Sequence, residues 1–152
     1  MEPYFQEYYD LLEGLFREMD TVLEGLSQEG LDWDPGVDIN SVAVLAAHAS
    51  GSTRFWIAEM LRGEGSQRSR PDEFATQGVA AWALQEHLSE TLSLCRSALA
   101  GLTLADLATL RTHPLDSNEN RVSWCLAHAL EHFARHLGQM EITRQMWEMQ
   151  DI

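Results

Sequence analysis

The chain has no lysine. All ten of its basic residues are arginine, set against 24 aspartates and glutamates, and the net charge is −14. A Schiff-base lysine and a P-loop lysine are therefore excluded. The charge argues against nucleic-acid binding, which rests on a basic stripe, and against adsorption to an anionic membrane. Cysteine is scarce, with only Cys95 and Cys125 present. Two thiols support neither a disulfide framework nor a four-cysteine zinc site. The longest apolar run, Val42 to Ala47, is far short of the roughly 20 residues that cross a bilayer. The opening Met-Glu-Pro-Tyr has neither the basic nor the apolar region of a signal peptide. A reducing, cytoplasmic setting is the expectation. Catalytic signatures are missing too: no H-E-x-x-H, no E-x-x-H, no G-x-S-x-G and no glycine-rich phosphate loop.

What is present fits one domain spanning residues 1–152, with 45% hydrophobic content and length enough to bury a core without staples. Four amphipathic segments stand out. The first runs from Pro3 to Leu26, with apolar positions at Tyr4, Tyr8, Leu11, Leu12, Leu15, Phe16, Met19, Val22, Leu23 and Leu26. Ser27 to Asp38 reads as a loop from its glycine, proline and aspartate, with Leu31 and Trp33 tucked back onto the bundle. Asn40 is the expected N-cap of a second helix, Ser41 to Arg62. Gly63, Gly65 and Pro71 break the chain until Gln77. A third helix covers Val79 to Ala100, with a stripe of Leu84, Leu88, Leu92, Cys95 and Leu99, and Gly101 ends it. Leu102 to Arg121 reads as irregular, with a short helical turn at Leu104 to Leu110. The fourth helix covers Val122 to Met149. No strand-like alternation of useful length appears. The pattern predicts an all-α four-helix bundle. The long second connection permits a crossover, hence an up-down-down-up order.

The fourth helix is the informative one. At about 100° per residue, His128, His132 and His136 share a sector of about 80° with Cys125, Gln139, Thr143 and Met146. Ala129, Phe133 and Met140 flank that sector, and Leu137, Glu141, Arg144 and Glu148 fall on a solvated face. Imidazoles buried without partners would cost several kcal/mol. They must be satisfied by one another, by water or by an ion. Histidines at i and i+4 can both reach one metal at about 2.0–2.1 Å. On the second helix His48 lies in a core-facing stripe, beside the small Gly51 and Ser52. His48, His132 and His136 are thus candidate ligands of a divalent ion with an open coordination position. The competing reading is a hydrogen-bonded polar core. His128 reads as a neighbour of the site or as core, and His87 and His113 as solvated. Cys125 reads as a small buried hydrophobe, and the five tryptophans as core or helix-end packing.

Two blocks carry a resemblance to a known family. Trp33-Asp34-Pro35, Asn40-Ser41, Leu45-x-x-His48, Phe55-Trp56 and Leu61-x-Gly63 resemble the second-helix signature of the DinB-like superfamily. The run from His128 through His132, Arg135 and His136 to Gly138-Gln139 is similar to its fourth-helix signature. Together the blocks cover about a third of the chain. The resemblance implies an up-down-down-up four-helix bundle. It also implies one divalent metal, zinc or nickel first among the candidates, on His48, His132 and His136. The branch containing mycothiol-dependent maleylpyruvate isomerase often has glutamate where this chain has His132, although the Ala-Arg-His block and Arg144 look like that branch. Relatives of this kind, including bacillithiol S-transferases, imply a transferase joining a low-molecular-weight thiol to a small electrophile, commonly as a homodimer. A metal-activated hydrolase and a non-enzymatic metal-binding or dimerisation module are the alternatives. Arg54 and Arg135 are candidates for steering an anionic thiol.

Overall fold

The computed structural model describes residues 1–152 except Val37, Glu64, Gln67, Leu115 and Ile152, with Asp151 described by its backbone only. Helix α1 (Pro3–Leu23) starts on Pro3, whose missing N–H falls where no helical partner exists. Its buried stripe is Phe5, Tyr8, Tyr9, Leu12, Phe16, Met19, Val22 and Leu23. Two residues assigned to that stripe from the sequence lie outside it: Leu11 is 63% exposed and Tyr4 44%. One step of about 100° from Leu12 carries Leu11 off the face. The helix stops three residues before the expected Leu26, because Gly25, at φ +74°, turns the chain.

The connector holds a short helix that the sequence reading took for loop. This is α2 (Gln28–Asp32), capped by Ser27, whose side chain accepts from the Gly30 N–H. Leu31 tucks in as expected, and Trp33 packs on Trp147 with ring centroids 6.0 Å apart. Helix α3 (Val42–Thr53) is capped by Ser41, not Asn40: the Ser41 hydroxyl accepts from the Val44 N–H. The helix continues through a π turn (Arg54–Glu59) into α4 (Met60–Arg62) and ends at Gly63, φ +69°.

The following break contains α5 (Arg70–Phe74), also unforeseen. Next come α6 (Ala81–Ala100) and a 3-10 turn (Leu104–Ala108) closed by reciprocal Thr103–Asp106 capping. An antiparallel hairpin follows, β1 (Leu110–Thr112) with β2 (Glu119–Arg121), Arg111 facing Asn120. Strands of three residues are too short to show alternation, which is why the sequence did not reveal them. Helix α7 (Val122–Glu148) ends in a 3-10 turn (Met149–Asp151).

The protein is thus essentially all-α. Helices α1 and α3 each pack against both α6 and α7. The Tyr8 hydroxyl donates to the Leu126 carbonyl at 2.7 Å, and the Arg144 guanidinium donates to the carbonyls of Thr21, Val22 and Glu24 at 2.9–3.1 Å. The Arg96 guanidinium lies over the Tyr9 ring at 5.4 Å, tying the end of α6 to the start of α1. Between α1 and α7, Phe16 and Phe133 stack at 4.3 Å. Among the described residues no helix is long and apolar enough to cross a membrane.

The face that α7 buries differs from the expected one. It centres on Ala129, Phe133 and Met140 and extends to Leu137, which is 4% exposed and not on a solvated face. The histidines occupy the margin of this face, half-buried, and Met146 is exposed. Apolar volume took the centre of the bundle, where an imidazole would need a partner.

Candidate metal centre

His48 projects from the middle of α3, and His132 and His136 stand one turn apart on α7. The three rings meet: His48 lies 5.0 Å from His132 and 4.8 Å from His136, centroid to centroid. One nitrogen from each ring lies within 4.8 Å of the others, an arrangement able to hold a metal ion. His132 Nε2 and His136 Nε2 are 3.3 Å apart, which is about the separation of two nitrogens bound tetrahedrally to one zinc.

The donor set fits a divalent ion on a further ground. The buried His132 Nδ1 has no hydrogen-bond partner. If His132 carries its proton on Nε2 to reach His136, a buried lone pair on Nδ1 is left unsatisfied. If the proton sits on Nδ1, that N–H has no acceptor and two Nε2 lone pairs face each other; a cation between them relieves the second of these. Protons compete weakly here. Burial, then the neighbouring His136, His48 and His128 and the Arg68 guanidinium, push His132 down to about 3. Burial also lowers His136, against the opposing hydrogen bond that its Nδ1–H donates to Gln139 Oε1 at 2.6 Å. Three imidazoles suit zinc, nickel, copper or iron.

Around the triad lie residues that the sequence reading missed. Glu73, on α5, places Oε2 2.8 Å from His48 Nδ1. Arg68 grips the same carboxylate with two N–H groups, at 2.6 and 2.9 Å. Burial pushes the Glu73 carboxyl up, but hydrogen bonds from Arg68 and His48 outweigh it and hold it below its ordinary value. Phe74 packs on the His48 ring at 4.7 Å. One signal was available: Pro71 followed by Asp72 and Glu73 reads as a helix start. It is overlooked because five residues carry no periodicity.

A cavity of about 410 Å³ opens beside His132, lined by Phe55, Trp56, His113 and His128 and by Arg68 and the exposed Arg70. A second, of about 440 Å³, lies between α3 and α6, and Arg68 lines both. His128 stacks on Trp124 at 4.7 Å and stands 5.5 Å from His132, a neighbour of the triad but outside the ligating group. His113 is not solvated as expected: it packs on Phe55 and Trp56, with Nδ1 3.0 Å from Asp116. His87 is exposed, as expected. Trp82 departs from the packing role, being 68% exposed. Arg54 pairs with Glu59, and Arg135 with Glu131. Both cysteines are buried, and burial raises their thiols, Cys95 to about 12 and Cys125 to about 11.

The protein is a helical bundle whose margin carries three histidines, from two helices, placed so that they could hold a metal ion. The sequence profile of the DinB superfamily matches residues 11–140, and the chain belongs to that superfamily. Solved structures agree in fold. A conserved protein of Enterococcus faecalis superposes with a TM-score of 0.74 at 19% identity, over 92% of this chain and 94% of that one. A DinB-like protein from Bacillus cereus ATCC 10987 gives 0.70 at 17% identity, over 91% of each chain. No curated protein matches the chain.

Proposed function

We propose that this protein is a divalent-metal-dependent transferase that joins a low-molecular-weight thiol to a small electrophile. The observation that carries the reading is the position of the triad: His132 belongs both to the three-histidine group and to the wall of a cavity of about 410 Å³. An ion sealed in a structural site has no such cavity beside it; a catalytic site keeps one position open. His48, His132 and His136 would hold the ion, with zinc or nickel the first candidates. A bound divalent ion supplies positive charge that lowers the pKa of a thiol entering the open position. The thiol comes from solution, because Cys95 and Cys125 are buried and held protonated. The aromatic walls exclude water and seat the apolar part of the electrophile. Arg70, exposed and lining the cavity with its guanidinium 4.9 Å over Phe74, is better placed than Arg54 or Arg135 to attract an anionic thiol. In the balanced reaction a sulfur–carbon bond forms, the electrophile's leaving group departs with its electron pair, and the thiol proton passes to solvent.

The proposed helix order is up-down-down-up. Contacts pairing the starts and ends of α1 and α7 support it. So does the reversal along α3 and the π turn that continues it, where His48 meets His132 and His136 while Trp56 meets Trp124 and His128.

The test is elemental analysis of the untagged chain and of His48→Ala, followed by a screen of thiols against electrophiles. The expected result is about one divalent ion per wild-type chain, lost in the variant together with thiol-dependent turnover. Unchanged turnover in His48→Ala would sink the mechanism. Ester or amide cleavage that needs no thiol would transfer the site to the hydrolase reading.

A further inference from the structure

Glu73 sits in a space that exists only because residue 51 has no side chain. A Cβ built on Gly51 would lie 2.3 Å from Glu73 Oε1 and 2.9 Å from its Cδ. No real Cβ contact is that close, so the carboxylate would have to shift from its place beside His48. Gly51 stands three residues after His48, hence on the same side of α3. The Glu73 side chain is 10% exposed and that of His48 3%. Arg68 fixes the carboxylate with two hydrogen bonds, one to each oxygen.

The placement of the His48 proton follows from these contacts. Nδ1 faces the Glu73 carboxylate at 2.8 Å and an Arg68 guanidinium nitrogen at 3.5 Å. A carboxylate is only an acceptor and a guanidinium only a donor. The shorter, charge-assisted contact wins, so Nδ1 carries the proton and donates to Glu73. Nε2 is then left bare, the form a metal ligand needs.

We propose that Glu73 is a positioning residue that holds His48 in its Nδ1–H form, and that the missing side chain of Gly51 is what admits it. Short helix α5 is thereby a strap across α3 that sets the ligand state of His48. The consequence for metal affinity rests on the reading of the triad as a metal site; the consequence for the His48 tautomer does not.

The experiment uses the full chain, nitrogen-15 labelled in its histidines, first metal-free at neutral pH. Wild-type His48 is expected as the Nδ1–H tautomer. Glu73→Gln, whose amide oxygen still accepts, keeps that tautomer. Glu73→Ala and Gly51→Ala release the ring to the Nε2–H form that unconstrained imidazole favours. Zinc affinity is then measured by competition with a chelator. Glu73→Ala and Gly51→Ala are each expected to bind about 10–100-fold more weakly than wild type, while Glu73→Gln recovers most of the affinity. The tautomer separates this from folding, because it is read on the metal-free chain after the native helical circular-dichroism spectrum of each variant has been checked. Wild-type His48 protonated on Nε2, or a tautomer indifferent to Glu73→Ala and Gly51→Ala, overturns the proposal. A wild-type chain with His48 in the Nδ1–H form that takes up no zinc upholds Glu73 and overturns the metal reading alone.

Discussion

Helices α1 and α3 are both principal helices of the bundle, yet they are buried in opposite ways. α1 buries eight of its 21 residues, along one stripe of large side chains. α3 buries ten of its twelve, and most of these are small. One helix leans on the core; the other is enclosed by α2, α5, α6 and α7. A helix covered on most sides has little open face left for its polar groups, so they lean on partners inside, although the Thr53 hydroxyl is buried without one. Ser50 bonds to Thr91 at 2.9 Å, and His48 finds Glu73 and the α7 histidines. Enclosure is what gathers the polar chemistry on this helix.

The comparison can be broken first where the two helices share a neighbour. Phe133 on α7 is fully buried against Phe16 of α1. Phe133→Ala should cost about 3–5 kcal/mol in chemical denaturation; a loss under about 1 kcal/mol would mean that this core is loosely packed. Enclosure of α3 predicts intolerance of bulk. Ala49 is 0% exposed, so Ala49→Leu should cost about 1–3 kcal/mol through overpacking. A neutral result would show room that the enclosed helix should not have.

Acid tests the polar edge of the same region. The metal-free chain holds His132 near 3, well below the ordinary histidine value of 6.5. The unfolded chain therefore binds this proton first. His132's contribution to stability is fully present above about pH 6.5 and is lost as pH falls from there towards about 3. The slope is below about 1.4 kcal/mol per pH unit, because the half-buried ring is partly screened by solvent. Urea midpoints measured across that window should fall with acid in wild type and fall less in His132→Gln. The smallest effect belongs to the open side of α1. Leu11 is 63% exposed, and Leu11→Gln should leave stability within about 0.5 kcal/mol.

The same contrast explains what could be read from the residues beforehand. The spacing of Leu12, Phe16 and Met19 reveals a one-sided helix because one-sidedness is a periodic signal. The pairing of His132 with His136 is visible for the same reason, as two residues one turn apart. His48 could be nominated because an imidazole in an apolar stripe needs a partner. Glu73 could not. It reaches His48 across 25 residues of sequence, from a five-residue helix in a segment that reads as a break. Leu137 was misplaced because a helical projection gives angles between residues but not the direction of the core.

The sequence by itself determined the helical class, the approximate extent of the long helices, and the presence of more imidazole on two helices than a plain core would carry. These are local properties, set by periodicity, capping and composition within one segment. Only the tertiary structure decided which side of α7 is buried, that three rings from two helices converge, and that a carboxylate and a glycine from different elements share one space beside His48. Those depend on how segments far apart in the chain fill a common volume, and close packing resolves that among all of them at once.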